Sequence, residues 1–247
     1  MIHSPLPIAL IGTGIAATAI SAYTAYGTFV PRGQLWGPVV WKGSSDGPGR
    51  VALTFDDGPT AGATDRVLDL LAELNVKAAF FLIGRNVERE PDLARRIVAD
   101  GHLVGNHTYD HSRWSALGRK KFWDEQIEKA DTAIERAVGL RAALFRPPIG
   151  HKTRYTMAAA RKTHHAVVTW SIRGWDGVAT TSRRIVDHVL PRCGPGAIIV
   201  LHDGTEPGRP RDPLATLDAI KPLVEGIRQR GLEAVRLDEL TGLQPYT

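Results

Sequence analysis

The chain has 247 residues, of which 43% are hydrophobic and 23% are charged. This composition excludes a disordered chain, a collagen-like repeat and a coiled coil, and the length suits one α/β barrel domain. The single cysteine, Cys193, excludes an intramolecular disulfide framework and a cysteine-rich zinc module, and the formal net charge of +5 fits an acidic partner such as an anionic polymer or a lipid surface.

The first predicted element is an apolar helix over residues 8–30, and no charged residue precedes Arg32. About 20 helical residues span the core of a bilayer, so this segment is long enough to do so. We predict a membrane anchor or signal segment over residues 1–35, with a cleaved signal peptide or a buried or disordered leader as alternatives. A match to a dinucleotide-binding fingerprint at residues 12–17 is discarded, because it follows no strand.

Residues 36–49 are rich in Pro and Gly and predict a linker to a domain over residues 50–247. In this domain, short apolar runs alternate with helical patterns. This alternation indicates an α/β fold with a parallel sheet, closed into a distorted (β/α) barrel of about seven strands. The predicted strands are 51–55, 78–82, 102–105, 143–145, 166–171, 197–201 and 234–237, and the predicted helices are 64–74, 91–100, 120–138, 154–163, 181–190 and 216–230.

Ionisable or aromatic residues follow the predicted strands where each one ends. In barrels of this type, residues just past the C-terminal ends of the strands build the active site. The convergence of these side chains at one rim therefore indicates an enzyme. The residues are Asp56, Asp57, Asn106, His107, His111, Arg146, Pro147, Trp175, Asp176, His202 and Asp203.

Two of these groups have the donors of a metal site. Asp56 and Asp57 are adjacent, so in extended chain one carboxylate can bind a metal while the other faces a water. His107 and His111 are four residues apart, which on a helical turn places both imidazoles on one face. Asp57 and the two histidines would supply the three protein ligands of a catalytic zinc site. An ordinary acidic loop and a pair of capping histidines are the alternatives.

Three further residues have two interpretations each. His202 lies at the end of the most apolar predicted strand. It is either a core residue or an acid–base group, and the usual histidine pKa of about 6.5 suits the second role. Arg146 begins a Pro-rich turn and pairs with a carboxylate or caps the rim. Trp175 belongs to the core or stacks on a sugar. The basic clusters at 119–121, 183–184 and 209–211 lack interleaved aromatic residues, so no nucleic-acid partner is expected.

Together, the motifs resemble the polysaccharide deacetylase family, the NodB-homology domain of carbohydrate esterase family 4. The resemblance extends over residues 51–240 and depends on TFDDG at 54–58, HTYDH at 107–111, RPPIG at 146–150 and LHD at 201–203. It implies a distorted barrel and a metal-dependent hydrolase. The implied substrate is a polysaccharide that contains N-acetylglucosamine, peptidoglycan or chitin-like, from which acetate is released.

The resemblance also implies roles for the matching residues. Asp56 would be the general base, paired with Arg146, and His202 the general acid, oriented by Asp176. The Ile149 N–H would stabilise the oxyanion. A divalent metal, zinc or alternatively cobalt or nickel, would bind Asp57, His107 and His111, and substrate contacts would come from Pro147, Ile149, Trp175 and Leu201.

The chain departs from the family at three positions. Ile149 stands where the family usually has Tyr or Phe, Gly177 replaces a Trp, and Arg173 replaces an Asp. The last two change a loop that shapes the substrate pocket, so a hydrolase of another amide or ester and a non-catalytic glycan-binding module are alternatives. With the N-terminal segment, we expect a membrane-anchored or secreted protein whose catalytic domain lies outside the cytoplasm.

Overall fold

A computed structural model of the chain describes residues 6–45, 49–208 and 212–247, and from residue 18 onward it also describes the side chains. Residues 1–5 of the predicted anchor, 46–48 of the predicted linker and the basic cluster at 209–211 lie outside the described residues. The helices are α1 (Leu6–Phe29), α2 (Thr64–Glu73), α3 (Gly84–Arg89), α4 (Pro91–Ala99), α5 (Lys120–Val138), α6 (Arg154–Lys162), α7 (Ser182–Val189), α8 (Leu214–Gln229) and α9 (Leu237–Thr241).

The strands form one parallel sheet in the order β5-β4-β3-β2-β1-β7-β6, with β8 beside the start of β1. Seven strands laid flat would be about 29 Å wide. The edge strands β5 and β6 are joined by residues 168–171, which span at most about 18 Å. The sheet is therefore curled, which confirms the predicted distorted (β/α) barrel. The strands are β1 (Arg50–Asp56), β2 (Ala79–Leu82), β3 (Leu103–Asn106), β4 (Leu144–Phe145), β5 (Ala166–Val167), β6 (Ile172–Arg173), β7 (Ile198–His202) and β8 (Glu233–Ala234).

Alternation along the central strands decides which side chains face the barrel interior. In β1, Ala52 belongs to the inner hydrophobic cluster, whereas Leu53 packs in the cluster beneath the outer helices. Because successive side chains of a strand point to opposite faces, Asp56 continues the inward series. His202 does the same in β7, and the parallel register places it directly beside Asp56.

The single strand predicted over residues 166–171 is wrong. The chain instead forms β5, which pairs with β4, and β6, which pairs with β7. Between the two, the chain crosses from one edge of the curled sheet to the other, so no continuous strand can form there. Val168, within the crossing, forms a parallel bridge with Val40.

The described part of the predicted linker, residues 36–45, packs against the sheet. Val40 bridges Val168 after β5, and Lys42 bridges Ala197 before β7. Trp41 packs against a hydrophobic cluster on the same side. This segment therefore covers the gap between the two halves of the barrel.

Helix α1 covers most of the segment for which the sequence predicts an apolar helix, and its last turn contacts the barrel. The Thr28 carbonyl accepts a hydrogen bond from the Lys152 N–H at 2.9 Å, and the Trp36 indole donates to the Thr28 hydroxyl at 3.0 Å. Within the part of the chain that the structure describes, no helix combines the length and the hydropathy that a membrane span requires. The membrane anchor stays a prediction.

A buried histidine beside β3 predicts how the fold responds to acid. His102 Nδ1 accepts a hydrogen bond from the Ala78 N–H at 3.1 Å, which requires a neutral ring, and burial lowers the pKa of His102 from 6.5 to about 4. Between these two pH values the unfolded chain binds more protons than the native chain, so stability falls as the pH falls.

We expect the free energy of unfolding to decrease by about 1–3 kcal/mol more in the wild type than in His102→Asn when the pH is lowered from 6.5 to 4.5. The amide oxygen of Asn is attached to Cγ, as Nδ1 is, so it can accept the same bond, but it does not titrate. Denaturant titration at several pH values measures both slopes. Parallel slopes would show that His102 does not couple stability to pH.

Candidate active site

Asp57, His107 and His111 are the described residues whose side chains form a potential metal site. One donor atom from each lies within 4.8 Å of the others, and all three residues are buried. Asp57 Oδ1 is 3.6 Å from His107 Nε2 and 3.5 Å from His111 Nε2. Bonds of about 2.0–2.1 Å to a tetrahedral ion place its ligand atoms about 3.4 Å apart. The donor set therefore fits a divalent ion of the size of zinc.

A hydrogen bond outside the donor set orients His107. Its Nδ1 lies 2.6 Å from the Arg146 carbonyl oxygen. Because a carbonyl only accepts, Nδ1 carries the proton, and the lone pair of Nε2 faces the other two donors. Burial lowers the pKa of His107 to about 4, so the ring is neutral, which is the form that binds metals.

The two histidines lie in a loop after β3, so the predicted helical turn is wrong. Thr108 and His111 adopt left-handed backbone angles, with φ of 69° and 52°. The loop is held by the Asn106 side chain, which accepts from the Thr108 N–H at 2.8 Å, and by Gln126, which accepts from two further N–H groups. As a result, the imidazole centroids are 4.8 Å apart.

Left-handed backbone also occurs at other residues around the site. The φ angles of Asp57, Ile149 and Trp175 are 74°, 58° and 60°. Such conformations cost about 1–3 kcal/mol each at non-glycine residues and persist where the surroundings hold them. For example, Asn86 donates to the Asp57 carbonyl at 2.7 Å. The turn at Asp57 brings its carboxylate towards the histidines, while Asp56 reaches the site from the strand.

Arg146 fixes one oxygen of Asp56. The guanidinium is fully buried, and Nη1 donates to Asp56 Oδ1 at 2.7 Å and to the Thr54 hydroxyl at 2.8 Å. It also lies 4.0 Å above the centroid of the Phe81 ring. The second oxygen, Oδ2, is 3.8 Å from His107 Nε2. Asp56 therefore has one oxygen bound by Arg146 and the other beside the metal donors.

His202 is held by the buried carboxylate of Asp176. The Nδ1 atom of His202 is 2.8 Å from Asp176 Oδ1, and the backbone N–H of His202 donates to Asp176 Oδ2 at 2.8 Å. The Thr216 hydroxyl donates to the same Oδ2 at 2.9 Å. Since a carboxylate only accepts, His202 Nδ1 carries a proton, and Nε2 is the nitrogen that can exchange a proton at the pocket.

This geometry and the sequence motifs agree with the comparisons to known proteins. A sequence model described as "Polysaccharide deacetylase" matches residues 43–168, and a peptidoglycan-N-acetylglucosamine deacetylase of Bacillus cereus is 33% identical over 190 residues, 77% of this chain and 67% of that protein. The chain belongs to the polysaccharide deacetylase family. A chitooligosaccharide deacetylase of Bradyrhizobium sp. (strain ANU 289) is 36% identical over 204 residues, 80% of this chain and 93% of the relative.

The fold comparison gives the same family. The crystal structure of a peptidoglycan N-acetylglucosamine deacetylase superposes with a TM-score of 0.77 at 30% identity, covering 84% of this chain and 94% of the other. This chain is thus similar in sequence to deacetylases named for peptidoglycan and for chitooligosaccharides, and in fold to one named for peptidoglycan.

A pocket of about 90 Å³ lies at the centre of the candidate active site of this deacetylase-family chain. Arg146 and Asp176 lie behind its walls, as the pairing roles predicted for them require. Of the predicted substrate contacts, only Ile149 lines the pocket; Leu201 points outward into the core because it alternates with His202. The lining residues are Asp56, Asp57, His107, His111, Arg113, Ile149, Trp170, Arg173, Gly177, Val200, His202 and Glu206.

Pro147 and Trp175 also lie outside this lining. Trp175 is half exposed and lines a neighbouring cleft, and Arg173 covers its ring at 4.9 Å. The Trp175 indole therefore lies beside the pocket and not within it. Substrate contact by Pro147 and Trp175 stays a prediction. The contact predicted for Leu201 is wrong, because its side chain is fully buried in the core on the outer face of the sheet.

Sequence reasoning missed Arg113 and Glu206. Arg113 donates to both oxygens of Glu206 at 2.7 Å, and Glu206 Oε2 is 3.8 Å from His111 Nδ1. Burial raises the pKa of Glu206, but Arg113 and His111 outweigh it and hold this pKa below its usual range. Both residues lie in loops after predicted strands, two residues after His111 and four after His202, and this position is the signal that could have found them.

Two other strand-end residues brace the site from behind. Asn106 donates to Asp131 Oδ1 at 2.7 Å beneath α5. Asp203 accepts from the Thr64 hydroxyl at 2.6 Å, next to the turn at Gly58, and burial raises the pKa of Asp203 to about 7. Neither lines the pocket, so their part in the site is to hold the loops.

Proposed function

We propose that this chain is a metal-dependent hydrolase that removes N-acetyl groups from N-acetylglucosamine residues of a polysaccharide. The observation that carries this proposal is one pocket with three parts. A donor set of one Asp and two His shares the pocket with a carboxylate held by Arg146 and an imidazole held by Asp176. The names of the relatives, deacetylases of peptidoglycan and of chitooligosaccharides, support the same reaction.

Asp57, His107 and His111 would hold the metal. A divalent ion such as zinc supplies Lewis-acid polarisation of the substrate carbonyl and lowers the pKa of a water. Nitrogen and oxygen donors in this arrangement also suit cobalt and nickel. The neutral state of His107, with Nδ1 bound to a carbonyl, fits this role.

The residues of the chain carry out the proton transfers. Asp56, held at Oδ1 by Arg146, accepts a proton at Oδ2 from the water that attacks the acetamide carbon. His202 donates a proton to the amine nitrogen as the C–N bond breaks, and Asp176 stabilises the charged imidazole beforehand. The N–H of Ile149, on the left-handed turn at the pocket wall, donates to the carbonyl oxygen as it becomes negative. The products are acetate and a free amine.

The pocket is small compared with the cleft that adjoins it. Its volume is about 90 Å³, against about 490 Å³ for the cleft, so the pocket suits a small acyl group better than a complete sugar. This arrangement suits an N-acetyl group presented by a polymer.

Polymers of this kind occur in cell walls, so we propose that the catalytic domain acts outside the cytoplasm, membrane-anchored or secreted through the segment 1–35. A substrate in the wall supports this placement. Protease added to spheroplasts that express the chain tests it, because a domain on the outside is digested without lysis.

Metal removal tests the reaction. We expect the purified full chain to release acetate from peptidoglycan or chitooligosaccharides, to lose this activity with a chelator and to regain it with zinc. Asp57→Ala is the matched control, which should stay inactive when zinc is restored. Release of acetate that a chelator does not affect would contradict the metal role. A protein with bound metal that releases no acetate from either polymer would instead indicate another amide or ester.

A further inference from the structure

A second cleft adjoins the catalytic pocket and has no part in the proposed reaction. Its volume is about 490 Å³. Ile149, Trp170 and Arg173 line both the pocket and the cleft. The remaining walls come largely from residues 29–32 and from Trp41 and Trp175. A polymer bound with one acetamide in the pocket would place its neighbouring sugar in this cleft.

The N-terminal wall of the cleft is fixed to the catalytic loop. The buried Lys152 ammonium donates to the carbonyls of Val30 at 2.9 Å, Pro31 at 3.2 Å and Gly150 at 3.1 Å. The Thr169 hydroxyl donates to the Pro31 carbonyl at 3.0 Å. These bonds join the segment after α1 to the loop that carries Ile149. The cleft is therefore a preorganised part of the structure.

The charged side chains that line the cleft are basic. They are Arg32 and Arg173, and among the described lining residues there is no Asp or Glu. Arg32 donates to the Tyr26 hydroxyl at 3.1 Å and Arg173 lies over Trp175, but neither forms an ion pair within the described chain. Burial and then the charges of Lys152 and Arg173 lower the pKa of His151, another lining residue. The cleft thus has a positive potential.

A guanidinium that lacks a carboxylate partner binds carboxylates through two parallel hydrogen bonds. Trp175, which is half exposed, and Trp41, which is partly buried, offer apolar surface to the C–H faces of a sugar ring. The cleft therefore combines an anion site with a sugar platform. A neutral polymer of N-acetylglucosamine would leave the two guanidinium groups unused.

We propose that this cleft binds a carboxylate-bearing sugar next to the N-acetylglucosamine residue that loses its acetyl group. The substrate class is then an anionic alternating glycan, such as peptidoglycan strands without stem peptides, whose muramic acid residues carry a free lactyl carboxylate, rather than a chitin-like polymer. Arg173 is the arginine expected to bind this carboxylate, because its side chain lines both the pocket and the cleft. The inference rests on the proposed deacetylation.

The test compares two forms of one substrate on the full chain. A soluble peptidoglycan glycan fragment without stem peptides is used with free lactyl carboxylates and with the same groups methyl-esterified. We expect kcat/KM for acetate release to be about tenfold or more higher with the free acid. Arg173→Gln should remove most of this ratio, mainly through KM, and Arg173→Lys should keep part of it.

Arg183→Gln is the matched control. This side chain is 89% exposed on α7, so its loss removes the same charge outside the cleft and should leave the ratio unchanged. Binding of both fragments is also measured, by quenching of tryptophan fluorescence. If Arg173→Gln releases no acetate at all, the ratio of its affinities for the acid and ester fragments still shows whether Arg173 binds the carboxylate.

The outcomes separate the two proposals. Equal acetate release from acid and ester would overturn the anionic subsite and leave the deacetylase proposal standing. Binding of the acid that depends on Arg173, without acetate release by the wild type, would overturn the deacetylase proposal and support the anion site. Vesicles with anionic lipid form a third arm. Loss of vesicle binding in Arg173→Gln, with an unchanged glycan ratio, would assign the arginines to a lipid and overturn the subsite.

Discussion

Asp56→Asn is expected to lower acetate release by at least about 10²–10⁴-fold while the protein still binds one metal ion. Asn keeps the shape of Asp56 and an oxygen that can accept from Arg146, but it cannot take a proton from water at neutral pH. The metal donors are Asp57 and two histidines, and none of them is changed. The measurements are acetate release and the metal content of the purified protein.

Asp57→Asn is the matched control, since it changes the adjacent carboxylate in the same way. We expect this variant to lose both metal and activity, because Asp57 supplies one of the three donors. A loss of metal from Asp56→Asn would contradict the division of roles between the two aspartates.

The fold must be checked in the Asp56 variant. Arg146 is fully buried, and Asp56 is the carboxylate it pairs with at 2.7 Å. Removing one partner of a buried ion pair costs about 3–5 kcal/mol of stability. The unfolding midpoint of Asp56→Asn should therefore fall, and activity is measured well below it.

Arg146→Met, which leaves the general base in place but unpaired, should also be destabilised and should keep more activity than Asp56→Asn.

Much of the site could be predicted because it depends on the period of a strand. An apolar run followed by Asp56 in β1 and by His202 in β7 places both side chains inward whatever the surrounding loops do. The same reasoning explains Leu201, whose apolar side chain must face the opposite way. A motif match that ignores this alternation of side chains predicts wrongly that Leu201 contacts the substrate.

Other features depend on the closed barrel and have no local signal. The run at 166–171 is as β-branched and apolar as a strand, but it crosses from one edge of the sheet to the other. The left-handed angles of Thr108 and His111 are imposed by contacts with Asn106 and with α5, so a four-residue spacing looks helical in the sequence. Arg113 and Glu206 meet from two distant loops, and neither position predicts the other.

His202→Ala is expected to lower deacetylation of an amide substrate by about 10²–10⁴-fold, again with metal retained. An amine is a poor leaving group unless its nitrogen is protonated, and His202 is the group in the pocket placed to do so. His164→Ala, which removes an exposed histidine on the turn after α6, is the matched control and should leave the rate unchanged.

An ester substrate makes the assignment sharper. An aryl acetate releases a phenoxide that needs no general acid, whereas the attacking water still needs a general base. His202→Ala should therefore lose much less activity on the aryl ester than on the amide, and Asp56→Asn should lose a similar factor on both. Equal losses by His202→Ala on the two substrates would show that the imidazole acts before the bond to the leaving group breaks, as a base or in binding. Asp176→Asn should follow His202→Ala in this pattern, because an amide cannot accept the Nδ1 proton and stabilise the charged imidazole as the carboxylate does.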